Sequence, residues 1–135
     1  KSLEKVFRQY SYDKNKPLEH EIAWKELWRK KLQNGEKIPN AEIGELQVLK
    51  IGKVAIVGLP GEVMVEIGLK LKKAVKDIII AGYANGILDY IPTSSALKEG
   101  GYEATSFFYH GYPGPYSFDL EEKLIKKVTA LVRTR

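Results

Sequence analysis

Apolar residues along this chain follow three kinds of spacing, and each predicts a different element. From Pro17 to Asn34, Leu18, Ile22, Trp28 and Leu32 fall on one helical face, with Trp24 at its margin. Pro17 suits a first turn, Arg29 to Lys31 the last, and Gly35 a stop before a loop reaching Asn40. Leu46, Val48 and Ile51 interleave with polar residues and predict a strand, closed by a tight turn at Gly52-Lys53. Val54 to Leu59 is an unbroken apolar run of strand length, expected to be buried on both faces and cut off at Pro60-Gly61. A helix is expected at once, with Val63, Ile67, Leu71 and Ala74 on its inner side, followed by a buried strand at Ile78–Ala81.

Strand, helix and strand in so short a span make a βαβ unit, which needs a parallel pair. The fold class expected is therefore α/β: a β-hairpin plus a βαβ unit in a mixed sheet with flanking helices. Residues 82–117 carry little periodicity and much Gly, Tyr and Pro; an irregular stretch of that length is usually functional. The chain closes on a helix capped by Ser117, with Leu120, Leu124, Val128, Leu131 and Val132 as its buried stripe.

Composition narrows the function classes. The 135 residues suit one folded unit, and the 29% of charged residues is ordinary for a globular protein. With no cysteine there is no disulfide framework, thiol nucleophile or Cys-based zinc site. The net charge of +5 is spread among acidic residues, and Arg29-Lys30-Lys31 and Lys70, Lys72 and Lys73 read as solvated helix faces. No nucleic-acid partner is expected. No apolar run has the roughly 20 residues of a membrane span, and Lys1-Ser2-Leu3-Glu4-Lys5 opens no signal-peptide pattern. A soluble protein is expected, cytoplasmic or secreted.

Catalytic groups in open α/β sheets gather where strands end. Glu62, after Pro60-Gly61, stands at such a position, where a helix N-terminus would favour its ionised form; the alternative is a helix-capping role. The second position is Gly82-Tyr83-Ala84-Asn85-Gly86-Ile87-Leu88-Asp89-Tyr90-Ile91-Pro92-Thr93, otherwise an Asn-Gly turn followed by structural tyrosines. The chain has no Gly-x-Ser-x-Gly elbow, phosphate loop or His-Glu-x-x-His. His20 reads as a helix-surface residue and His110 as a loop residue that could line a site.

The stretch from Leu46 to Pro60-Gly61-Glu62, then Asn85, Tyr90-Ile91-Pro92-Thr93 and Tyr102-Glu103-Ala104, resembles in order the neutral/alkaline, non-lysosomal ceramidase family. The resemblance runs from about Glu45 into the last helix. It divides the chain into a helical lead-in, 1–40, and residues 41–135 as the C-terminal part of a larger catalytic domain. It implies a zinc-dependent hydrolase that cleaves the amide of an N-acyl sphingoid base or related lipid amide. The family's metal ligands are two histidines, a glutamate and a tyrosine; the last two correspond to Glu62 and Tyr90. Tyr102 corresponds to a tyrosine placed near the scissile amide, with Asn85 and Thr93 as supporting residues.

The family's histidine ligands and its catalytic serine lie upstream of the stretch matched here. Leu69-Lys70 follows Gly68 where true ceramidases carry a doubled arginine. The spacing from Glu62 to Tyr90 is 90 − 62 = 28 residues. The resemblance therefore implies that this chain alone lacks tight zinc binding and activity, needs the missing N-terminal part as partner, and exposes apolar surface that favours self-association. The alternative is a non-catalytic α/β binding or assembly domain that keeps the framework.

Overall fold

The computed structural model describes residues 3–11, 13 and 15–134; Lys1 and Ser2, which open the charged N-terminal run, lie outside them. Helices α1 (Leu3–Tyr10) and α2 (Glu19–Gln33) lead in, followed by a hairpin of β1 (Gln47–Ile51) and β2 (Val54–Gly58) across Gly52-Lys53. Then come β3 (Glu62–Val63), α3 (Val65–Ala74), β4 (Ile78–Ala81) and β5 (Tyr90–Ile91). Short helices α4 (Ser94–Glu99), α5 (Tyr102–Thr105) and α6 (Phe107–His110) precede the terminal α7 (Leu120–Arg133).

The main sheet has the order β1-β2-β4, with β1 antiparallel and β4 parallel to β2; a second sheet of two strands pairs β3 with β5 in parallel. The α/β class, the hairpin and the mixed sheet are as the periodicity predicts.

Helices α3 and α7 cover one side of the main sheet. Ala55, Val57 and Leu59 from β2 and its exit, Ile78 from β4, Ile67 and Leu71 from α3, and Leu124 and Val128 from α7 make one core. Each aliphatic side chain of valine size or larger that is fully buried here contributes roughly 1.5–3 kcal/mol. The other side of the sheet has no such cover: Leu49, Ile51 and Ile79 are more than half exposed. The expectation that Val54–Leu59 is buried on both faces is thus corrected for its first part, where Val54 and Ile56 on the uncovered face stay half-buried, while Gly58 and Leu59 are both buried.

A second core joins the lead-in to α6 through Val6, Phe7, Trp24, Trp28, Phe107 and Phe108. Helix α2 is rotated from the face read off its sequence. Trp24 and Trp28 are 1% and 3% exposed, whereas Leu18, Ile22 and Leu32 are each more than 40% exposed. The two indoles bury more area than the leucines, and Trp24 packs edge-on against Phe107 and Phe108 at ring separations of 5.7 and 5.0 Å. Glu21, on the same face, is buried; its Oε2 accepts from the Leu18 N–H at 2.9 Å and the Ser11 hydroxyl at 2.8 Å. That bond to Leu18 starts the helix as half of a capping box.

Two further boundaries differ from the pattern. Residues 82–117 are threaded with β5 and three short helices, which contain too few residues to show a period. Helix α7 begins one residue after Asp119; the Ser117 hydroxyl donates to the Asp119 carboxylate at 2.5 Å instead of capping the helix.

Candidate active site

Strand β2 leaves the main sheet at Leu59 and turns over Pro60-Gly61, the turn that brings Glu62 to its neighbours. Gly61 has φ +98°, and a Cβ there would lie 2.1 Å from the Leu88 carbonyl oxygen and 2.4 Å from that of Asp89. Only glycine admits such an approach of two backbones. Beyond it the Glu62 N–H donates to the Asp89 carbonyl at 3.3 Å and the Met64 N–H to that of Ile91 at 3.2 Å. Glu62 thereby becomes the register partner of Tyr90, and Val63 that of Ile91.

The expectation that a helix starts directly at Glu62 is corrected here. Glu62 lies in β3, and Met64 stands at the N-cap of α3. A pairing partner for the Glu62 backbone, offered by β5 some 28 residues later, outweighs immediate helix entry. The helix-capping alternative for Glu62 falls with it, and so does the argument from a helix dipole.

Tyrosines gather beside this carboxylate. The Tyr83 hydroxyl donates to Glu62 Oε2, and the Tyr90 phenol lies close enough to the same carboxylate to feel its charge. The Tyr102 ring stands edge-on to that of Tyr90 at 5.5 Å. Because a neighbouring carboxylate opposes a second negative charge, both phenols are held above their ordinary range. Tyr90 is pushed up to about 12, by Glu62 first, then by burial and by its proximity to Tyr102 and Tyr83. Tyr83 is raised by the same carboxylate. At neutral pH these groups are protonated and stand beside one acceptor.

The segment after β4 aims Tyr83. Its N–H donates to the Gly61 carbonyl at 2.9 Å and the Ala84 N–H to that of Leu59 at 3.0 Å, so the turn is fastened to the exit of β2. Tyr83 and Asn85 take φ of +55° and +63°. An L side chain in that region costs roughly 1–2 kcal/mol.

Asn85 packs against the end of β2, where a Cβ on Gly58 would come within 3.2 Å of its Nδ2. Thr93 is buried and caps α4, its Oγ1 accepting from the Ala96 N–H at 3.1 Å. The structure thus brings Glu62, Tyr90 and Tyr102 together, while Asn85 packs on the end of β2 and Thr93 caps α4.

The site continues outward along stacked rings. Tyr102 meets Tyr109 at 5.3 Å, and Tyr109 stacks on His20 at 3.7 Å. These rings, with Tyr10, Leu97 and Phe118, line a cleft of about 620 Å³ between the lead-in and α4–α5. His20 is therefore part of the cleft wall and not merely a helix-surface residue. His110 ends α6, and its Nδ1 lies 2.9 Å from Oδ1 of the buried Asp89, which also accepts from the Tyr90 N–H at 2.7 Å. Sequence reasoning placed Tyr83 in the segment after β4 without giving it a role, and passed over Tyr109 and His20 as participants. A tyrosine between two glycine-containing turns was the available signal for Tyr83.

Among the described residues, no three His, Asp or Glu side chains gather closely enough to hold a metal ion. Glu62 and Tyr90 are two adjacent oxygen donors, whereas a catalytic zinc takes about three protein ligands and a water. The pair fits part of a zinc shell. Among the described residues, no helix is long and apolar enough to cross a membrane.

Comparison with known proteins gives neither a matching family model nor a matching solved structure. Curated relatives do match. The neutral ceramidase of Mycobacterium tuberculosis is 30% identical over 76 residues, covering 50% of this chain and 12% of the relative. Neutral ceramidase 1 of Arabidopsis thaliana is 31% identical over 99 residues, covering 62% of this chain and again 12% of the relative. The chain thus spans only 12% of the length of either relative, and over that part it is similar to neutral ceramidases.

Proposed function

We infer that this chain is part of a ceramidase-like amide hydrolase, in which Glu62 and Tyr90 hold a zinc ion together with ligands from outside the chain. The observation that carries this reading is the in-register pairing of Glu62 with Tyr90, with the Tyr102 ring against Tyr90. The similarity to neutral ceramidases supports it. Substrates of the class implied are N-acyl sphingoid bases or related lipid amides.

When bound, zinc would lower the pKa of a water towards neutrality and polarise the amide carbonyl. The roles of the chain's own groups follow from their charges. Glu62 supplies a negative charge at a fixed strand position. The upward shift of Tyr90 comes chiefly from Glu62, and a cation bound to both groups would offset that charge and favour the phenolate. Tyr102, half exposed at the mouth of the cleft, donates a hydrogen bond to the oxygen that gains charge as the amide is attacked. The aromatic cleft beyond it accepts the apolar part of the substrate.

The test uses the complete protein, with its upstream segment present. Glu62→Gln is expected to lose zinc and activity with little change in folding. Tyr102→Phe is expected to keep zinc and lose about 10²-fold in rate. Equal loss of zinc in both variants would contradict the separate roles. Full zinc content in Glu62→Gln would show that Glu62 is not a ligand, and absence of zinc from the unaltered complete protein would favour a non-catalytic binding or assembly domain.

A further inference from the structure

Tyr83 is an unusual residue for its position. It is 55% exposed and takes φ +55°, a conformation that glycine adopts without strain. Burial explains little of its presence, since half of the side chain faces solvent. Among the described residues, its polar side-chain contact is the bond to Glu62 Oε2. The turn that carries it is tied at two points to the strand exit from which Glu62 emerges, through Tyr83 N–H to Gly61 and Ala84 N–H to Leu59. Backbone strain of this kind persists where surrounding structure imposes it, and it collects at functional sites.

We propose that Tyr83 is a positioning residue, which fixes the Glu62 carboxylate through Oε2 and leaves Oε1 free of that bond to engage a ligand. A glutamate has three rotatable side-chain bonds, and strand pairing of its backbone sets none of them. The phenol supplies the missing constraint from the opposite side of the turn. It does so without introducing a positive charge that would compete with a bound cation. Outer contacts of this type orient ligating carboxylates, and their loss typically lowers metal affinity by about 10–100-fold. The consequence for metal affinity rests on the function proposed above; the consequence for the carboxylate itself does not.

The two are separated by experiment. In this chain, with glutamate labelled for side-chain NMR, Glu62 is expected to occupy one rotamer. Tyr83→Phe, which removes only the hydroxyl, is expected to average its three-bond couplings over several, while Tyr109→Phe leaves them unchanged. Tyr83→Gly is expected to loosen Glu62 equally while holding or raising the thermal midpoint, because it relieves the positive φ. A merely structural tyrosine predicts the reverse, with a midpoint lowered by several degrees. Glu62 remaining in one rotamer in Tyr83→Phe would overturn the proposal. In the complete protein, Tyr83→Phe is expected to weaken zinc binding by about 10-fold or more. Loosened Glu62 with unchanged zinc affinity would leave the positioning role standing and refute Glu62 as a metal ligand.

Discussion

Replacing Gly61 by alanine should separate the two halves of the candidate site. The methyl carbon would lie 2.1 Å from the Leu88 carbonyl oxygen and 2.4 Å from that of Asp89. A carbon–oxygen contact relaxes only at about 3.3 Å, so one backbone must retreat by about 1.2 Å. Both obstructing atoms are main-chain carbonyls, so no rotamer change clears the space. Three costs combine. An alanine at φ +98° is strained by roughly 1–3 kcal/mol. Overpacking against rigid neighbours costs about 1–3 kcal/mol. The β3–β5 bonds from Glu62 and Met64, at 3.3 and 3.2 Å, are the ones such a retreat would lengthen, at about 0.5–1.5 kcal/mol each.

A destabilisation of roughly 3–9 kcal/mol is therefore expected, a large share of the 5–15 kcal/mol typical of a domain. Urea unfolding followed by circular dichroism measures it, and amide shifts of Glu62 and Tyr90 report whether the pair has parted. Gly86→Ala is the control, since Gly86 has φ +117° but no atom within 4 Å of its would-be Cβ, leaving only the strain term. If Gly61→Ala falls within about 1 kcal/mol of Gly86→Ala, or if the Glu62 and Tyr90 signals stay in place, close backbone approach is not what assembles the site.

Two further measurements probe the scaffold. Burial pushes the Glu121 carboxyl up, but the Lys70 ammonium and the Ser94 N–H outweigh it and hold the group below its ordinary 4.5. Its stabilisation is thus complete above that value and is lost as pH falls through the lower folded value. Glu121→Gln should cost about 1–2 kcal/mol at pH 7, with the gap to the parent closing in acid; a gap independent of pH would refute the assignment. Gly68 sits within α3 with open space at its Cβ position, so Gly68→Ala should raise stability by about 0.5–1 kcal/mol in the same denaturation assay.

Where the chain's periodicity extends over whole elements, the fold was legible. The hairpin, the parallel β2–β4 pair, α3 and α7 all follow from runs in which apolar spacing has room to repeat. Helix α2 shows the limit: its residues fit two overlapping faces, and contacts with Phe107 and Phe108, some eighty residues away, choose the one bearing both tryptophans. The two-residue strands β3 and β5 hold the candidate site, yet carry no period at all. Their pairing depends on the Gly61 approach, a property of three-dimensional closeness. Tyr83 was invisible as a partner of Glu62 for a related reason, since its direction is set by a positive φ that nothing in its side chain favours.

The environment of Glu62 bears on what the site is suited to hold. Carboxylates that serve stability in this chain are matched by cations or backbone donors: Glu4 by Lys25 and Arg8, Asp119 by Lys123, Glu121 by Lys70 and the Ser94 N–H. Glu62 instead accepts from the phenol of Tyr83, with that of Tyr90 nearby. A phenol donor satisfies a lone pair without neutralising the charge, and that charge acts back on Tyr83 and Tyr90, raising both. That mutual penalty is relieved by a cation positioned between carboxylate and Tyr90, which favours ionised forms of both groups at once. A carboxylate needed only to close a turn would gain more from the lysines that abound in this chain. A tyrosine donor, kept in a strained backbone conformation, holds the Glu62 carboxylate while leaving its charge available to another partner.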